Sequence, residues 1–352
     1  MLDAITLLGA NNAGNDTDFD AWTKANRVIT EGNQGQLQGF KNRLINGAMA
    51  IDQRVTTNVA VGVAASIFGA DRWMGSAAGA AITMTRSAIN PALAGYRWML
   101  QFNGAVGNTN ITARQRIEAE NSADLAGRTV ALSFWVYHTT GAARQPAVSI
   151  SRANAADNFG AITVEGSFTS PAVASGVWTR VVGAITLSAN ATTGIEVTIS
   201  SNGAVLAGQV FQITGVQLEP GQEDTAFEYR PVSIELSLCQ RYYEKSYALS
   251  VAPGAATLVG TSAGASNFSG GAAHVRGMVF FKTQKRAIPA ITYRDAAGNV
   301  ARASTLSTGG LVQVDNNNIL AADYISDHMF QWGATAAAST TPVIHWVADA
   351  EV

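Results

Sequence analysis

From residue 41 onward, apolar and polar positions alternate with a period of two. Tyr96, Trp98, Leu100 and Phe102 share one side of GYRWMLQFNG, and Ile195, Val197 and Ile199 one side of GIEVTIS, with Ile185 and Leu187 alternating just before. In VALSFWVYH, Val130, Leu132, Phe134 and Val136 define one face, and Ser133, Trp135 and Tyr137 the other. Such alternation marks strands with one face against a core. Gly, Asn and Ser clusters separate these strands and no ten-residue helical pattern lies between them. The pattern therefore predicts an antiparallel β-sandwich and not a parallel βαβ sheet.

One strand breaks the rhythm. In VFQITGVQLEPGQEDTAFEYRP, Phe211 and Ile213 are apolar at odd positions, whereas Val216 and Leu218 beyond Gly215 are even. One inserted residue at Gly215 predicts a β-bulge. Pro220 and Gly221 then turn the chain out of the sheet, with Glu219, Glu223 and Asp224 expected in a solvated loop. Phe227 and Tyr229 seat the exit strand before Pro231.

Helical signals are few. Phe19, Trp22, Val28 and Ile29 sit near helical spacing behind Asp16-Thr17-Asp18, and EGNQGQLQG reads as a linker. PVSIELSLCQRYYEKS carries the strongest helix: Ile234, Leu238 and Tyr242 stack at i, i+4 and i+8, Ser233 is the expected N-cap, and Lys245 lies near the C-terminal end. Strands resume at HVRGMVFF, AIPAITYR, GLVQV and PVIHWVA. The expected division is an N-terminal segment and linker (1–40), a β-sandwich (41–231), a connecting helix (232–245) and a second, smaller C-terminal β-sandwich domain (246–352).

Charge changes the picture. Only 14% of residues are charged, against about 25% in typical soluble chains. The net charge is −2 with no long basic run, which argues against a nucleic-acid partner. A single cysteine, Cys239, excludes an internal disulfide framework and a thiolate metal cluster. The first residues, MLDAITLLGANNAG, lack a basic n-region, and no stretch approaches the roughly 18 apolar residues of a membrane span. Synthesis in the cytoplasm without membrane insertion is the expectation.

Candidate chemistry is sparse, and no cofactor is expected. Arg114, Arg116, Glu118 and Glu120 in ITARQRIEAE are expected to share a solvated strand face, since each Glu has an Arg nearby, unlike the opposed carboxylates of a glycosidase. His138, His274, His328 and His345 are scattered without metal-ligand spacing, and DNNN at 315–318 lacks the calcium-loop pattern and reads as a turn. The Gly-rich segments lack the phosphate-binding pattern. Trp135 and Tyr137, on the non-core face of their strand, are candidate sugar-stacking residues or subunit contacts. Tyr247, Asn267 and Phe268, in Gly-Ser-Asn loops, are further candidate glycan contacts.

NRLINGAMAIDQR, DRWM at 71–74, FQITGVQLEPGQEDTAFEYRP, ELSLCQRYYEKS and VRGMVFFKTQKRAIPAITYR together resemble the skeleton of bacteriophage and prophage tail-fibre-like structural proteins. The resemblance runs from about residue 41 to about residue 294. It implies a carbohydrate-binding-module-like jelly roll followed by a distal domain, a homotrimer on a virion appendage, and host-surface recognition without catalytic residues. Residues 1–40 fall outside it and are expected to dock on other tail, neck or baseplate proteins. The expected partner at the far end is a host cell-surface glycan or protein, and the expected location is the virion. An architectural head, neck or tail decoration without a receptor role is the alternative. A polysaccharide depolymerase would need a short-period β-helix repeat or paired acids, and neither is present.

Overall fold

The computed structural model describes residues 40–265, 273–307, 313–337 and 339–351. Two compact units separate at residue 41, and residues 42–352 form the larger one. The helix expected around residues 16–29 lies outside the described residues.

Twelve strands build the first part of the larger unit: β1 Val59–Val61, β2 Ile67–Phe68, β3 Met74–Ala78, β4 Ile82–Ala88, β5 Trp98–Asn103, β6 Asn110–Ile117, β7 Thr129–His138, β8 Ala147–Ala155, β9 Asn158–Thr169, β10 Thr179–Thr186, β11 Ile195–Ser200 and β12 Val210–Pro220. They form two six-stranded antiparallel sheets, ordered β1-β4-β5-β12-β7-β10 and β2-β3-β6-β11-β8-β9. The result is a jelly-roll sandwich, as the alternation predicts. Val130, Leu132, Phe134 and Val136 of β7 point into the same core as Ile195, Val197 and Ile199 of β11. The bulge is present: the β12–β7 register slips between Thr214 and Gln217, and Gly215 takes φ +60°. A left-handed residue accommodates the extra position, and glycine adopts that conformation without a Cβ clash.

Eight strands form the second part: β13 Tyr243–Lys245, β14 Ser262–Ala263, β15 Ala273–Phe280, β16 Ala290–Arg294, β17 Arg302–Ser307, β18 Gln313–Asp323, β19 Met329–Ala336 and β20 Thr340–Asp349. Their order is β13-β20-β17-β18-β19-β15, with β14 and β16 also paired to β20. Residues 264 and 265 bridge β20 and β15, through Gly264 N to Pro342 O (2.8 Å) and Ala265 N to Arg276 O (3.0 Å). Phe330, Trp332, Tyr293 and Trp346 fill its core. The DNNN sequence is not a turn but part of β18.

Several polar expectations fail for one reason: the groups are buried with partners. The helix spans Val232–Gln240, capped at Pro231 and not Ser233, and residues 243–245 continue as β13. Its buried side is Glu235, Cys239 and Gln240, while Ile234 is 38% exposed. Asn46 N and Arg230 hold Glu235 inward, so ionic and hydrogen-bonding partners set the helix orientation against its apolar stripe. Lys245 is not a helix-end cation. It is buried in β13, donates to Leu249 O (3.1 Å) and Val251 O (2.5 Å), and burial lowers its pKa to about 8. Glu219 is buried and accepts from Gln217 Nε2 (2.8 Å), Thr225 N (2.7 Å) and Thr225 Oγ1 (2.7 Å). Asp224 pairs with Arg180. Glu118, expected on a solvated face, is buried against Arg241 Nε (2.9 Å) and the Tyr242 hydroxyl (3.0 Å).

A further set of buried polar groups forms a joint between the sandwich and the second set of strands. Asp71 accepts from Gln53 N (2.8 Å) and Gln53 Nε2 (2.6 Å), and that Nε2 also donates to Tyr243 O (2.6 Å). Arg54 lies 3.8 Å from Asp71 and 3.2 Å from Glu351, with its guanidinium 3.7 Å from the centre of the Tyr243 ring. Arg72, 2% exposed, pairs with Glu351, donates to Arg116 O (2.6 Å) and stacks on Tyr242 (3.4 Å). On the far side, Lys285 and Glu244 form a 2.5 Å ion pair with both side chains inaccessible. Buried charges are tolerated only when paired and hydrogen-bonded, and removing one partner typically costs about 3–5 kcal/mol.

Burial raises the Asp71 carboxyl from 3.8 to about 6, against the opposing pull of Arg54 and the Gln53 hydrogen bonds. Between those values the folded protein holds a proton that the unfolded chain has lost. The Asp71 contribution to stability is therefore fully present below the unfolded value and is lost as pH rises through the folded one. The expected outcome for Asp71→Asn is a melting-temperature gap from wild type that shifts steadily against the wild type between about pH 4 and pH 6 and is flat above. Calorimetric melts across that range check it, and a gap that does not vary with pH refutes the assignment.

Candidate functional site

The outer face of the sheet β1-β4-β5-β12-β7-β10 carries a row of side chains running across its strands. Cross-strand partners share a face, and the register places Thr85 opposite Gln101, Gln101 opposite Gln212, and Gln212 opposite Tyr137. The row ends at Trp178, just before β10, whose ring centre lies 5.5 Å from that of Tyr137. Trp178 is fixed by its indole N–H, which donates to Pro91 O (2.8 Å). At about 4.8 Å between strands, this row spans roughly 19 Å.

The amides along it are oriented head to tail. Gln212 Nε2 donates to Gln101 Oε1 (2.7 Å), Gln101 Nε2 to Asn103 Oδ1 (2.6 Å), and Asn103 Nδ2 to Thr83 Oγ1 (3.0 Å). The relay starts at Gln212, 4% exposed, whose Oε1 has no hydrogen-bond partner among the described residues. A buried carbonyl left unpaired is costly, and this one lies where the row passes from Gln212 to Tyr137.

Trp135, two residues before Tyr137 on the same face, pairs with Thr214 and Arg180. Next to it the Tyr96 ring lies so close over Gly215 that a Cβ there would sit 2.6 Å from it. Burial and Tyr229 raise the Tyr96 hydroxyl well above its usual range, against a hydrogen bond with Trp135 and the charge of Arg180. Tyr96, Phe227 and Tyr229 form a cluster with ring centres 4.9–5.8 Å apart, closed by a hydrogen bond from the Tyr229 hydroxyl to Gly95 O (2.7 Å). This cluster walls a cavity of about 410 Å³. A belt of aromatic rings thus runs from Trp178 through Tyr137, Trp135 and Tyr96 to Tyr229.

Of the sequence candidates, the structure brings Trp135 and Tyr137 together on this face. Tyr247 is not an exposed loop contact: it is 4% exposed and stacked on His345, ring centres 3.8 Å apart. Asn267 and Phe268 lie outside the described residues. Trp178, Gln101, Gln212, Tyr96, Phe227 and Tyr229 complete the site, and the sequence signal for the glutamines is their position between the core residues Leu100 and Phe102 and between Phe211 and Ile213.

Two of the four histidines and the cysteine are buried. His345 is buried, with Ser246 Oγ at Nδ1 (2.9 Å) and Thr257 O at Nε2 (2.9 Å). The carbonyl requires the proton on Nε2, so Ser246 donates to the ring and is not activated by it. His138 is buried against Val173 O (3.1 Å), and burial lowers its pKa. Burial likewise pushes the Cys239 thiol well up. Among the described residues no group of three or more His, Cys, Asp or Glu is placed to hold a metal ion, and no helix is long and apolar enough to cross a membrane.

No protein-family model matches the chain, and no curated protein matches it in sequence. Among solved structures, 126 chains match. The tailspike protein 4 enzymatically active domain of bacteriophage CBA120 is 16% identical, with a TM-score of 0.35 over 51% of this chain and 22% of that one. The carbohydrate-binding and catalytic modules of a Clostridium thermocellum endo-1,4-β-D-xylanase, solved with xylohexaose, give 13% identity and a TM-score of 0.29 over 50% of this chain and 30% of that one. A xylan-binding domain from Paenibacillus barcinonensis gives 14% identity and a TM-score of 0.29 over 43% of this chain and 92% of that one. The chain therefore spans less than a third of the first two, and likeness at this level assigns no ligand and no activity.

Gly215 sets the position of Tyr96 and hence the middle of the belt. Gly215→Ala meets both a positive φ and the Tyr96 ring, and is expected to lose more than about 1 kcal/mol in urea unfolding. It should also displace Tyr96, altering near-ultraviolet circular dichroism. Unchanged unfolding midpoint and spectrum would contradict this role.

Proposed function

We propose that the chain is a non-enzymatic structural protein of a virion appendage that recognises a host-surface glycan through the outer face of its first sandwich. The row Thr85–Gln101–Gln212–Tyr137–Trp178 carries the reading. Flat aromatic rings offer stacking surface to the apolar face of a pyranose, while amides and hydroxyls beside them match sugar hydroxyls. The face is also held by a rigid sheet, so little ordering is needed on binding. In this reading residues 1–40 dock on tail, neck or baseplate proteins, residues 246–352 lie distal, and three chains assemble. The five segments resembling tail-fibre-like proteins favour an appendage, because many of their residues make the buried joint that would stiffen a fibre.

Tyr137→Ala and Trp178→Ala should each weaken binding of the full chain to responsive oligosaccharides by roughly tenfold, as loss of about 1.5 kcal/mol of ring stacking implies. Calorimetric titration of ligands found on a glycan array checks this, and wild-type affinity in both variants would sink the assignment of the face. Light scattering should return three times the mass of one chain, and a monomer at micromolar concentration would refute assembly.

A further inference from the structure

The cavity at the Tyr229 end of the belt differs in charge from the amide row. Most of its ionic groups are engaged from within. Arg86 donates to Met49 O (3.0 Å) and Ala50 O (2.8 Å) and stacks on Trp98 (3.3 Å). Arg230 donates to the carbonyls of Leu44 and Asn42 and pairs with Glu228 (3.1 Å). Glu228 also accepts from Asn42 N (3.0 Å), and Glu235 accepts from Asn46 N. Arg97 is different. The residue lines the same cavity and is exposed, and its guanidinium makes no hydrogen bond or ion pair among the described residues. An arginine fork at the mouth of an aromatic-walled cavity matches a carboxylate carried on a ring. The volume, about 410 Å³, lies within the ~300–1,000 Å³ of small-molecule sites.

We propose that this cavity binds a carboxylate-bearing sugar unit, its ring against Tyr96, Phe227 and Tyr229 and its carboxylate on Arg97, in a glycan whose neutral units lie along the Thr85–Trp178 row. The inference rests on the glycan reading of that row and adds a charge preference to it. Tyr96, which belongs to both the cavity wall and the belt beside Trp135, makes the two parts one continuous surface.

The test is an array of neutral xylo-, manno- and gluco-oligosaccharides beside galacturonic, glucuronic and sialic acid oligosaccharides, probed with the full chain and followed by calorimetry on the strongest of each class. Arg97→Gln should weaken the acidic ligand about fivefold, the scale of an exposed charge pair near 1 kcal/mol, and leave the neutral one unchanged. Added salt should weaken only the acidic ligand. Tyr137→Ala should weaken the neutral ligand. Arg97→Gln replaces an exposed, unpaired side chain, and an unchanged melt verifies that it folds. Neutral binding sensitive to Tyr137→Ala, with acidic binding absent or indifferent to Arg97→Gln, overturns the charge preference and leaves the glycan reading standing. Absence of binding to either class overturns both.

Discussion

The docking of the two β parts on one another rests on the requirement that Asp71, Arg72 and Arg54 have partners away from water. These groups are supplied by the edge of the first sandwich, but Glu351 and Tyr243 belong to the second set of strands. Neither part satisfies its own charges, so each is complete only when docked on the other. Lys285 and Glu244 extend the arrangement by pinning the loop before β16 to β13. A contact of this kind resists bending in a way that an apolar contact, which can slide, does not. The second set of strands is joined to the first through these ionic and hydrogen-bonded contacts.

Burial and hydrogen bonding explain what three of the five sequence segments do. Asn42, Asn46 and Gln53 in the first, Asp71, Arg72 and Trp73 in the second, and Arg241 to Glu244 in the fourth are all buried or half-buried and hydrogen-bonded to one another's neighbourhoods. They hold the fold together. The residues of the proposed glycan face lie mostly outside these segments, on β5, β7 and the approach to β10, where a sheet presents them and sequence can vary without disturbing the joint.

The strands were legible because burial of one face forces a two-residue period, and the Gly215 bulge was legible because an inserted residue must flip that period. Isolated polar residues were not. Glu118 and Glu219 read as solvated, but Arg241 reaches Glu118 from 123 positions away, and the loop after Pro220 folds back to bring Thr225 onto Glu219. The same limit applies to the site. Trp135 and Tyr137 show their outward phase in one strand, whereas the meeting of Gln101, Gln212 and Trp178 depends on the strand order β5-β12-β7-β10, which no local pattern encodes. Tyr247 fails as a contact because His345, almost a hundred residues later, stacks on it.

The separation of Arg72 from Glu351, 279 positions along the chain, bears on how the molecule comes into being. Contacts between such distant residues must overcome a large loop-closure entropy before they return any stabilisation. Arg72 and Arg54 both reach Glu351 across most of the chain, so the buried joint must return enough stabilisation to offset the closure of a very long loop.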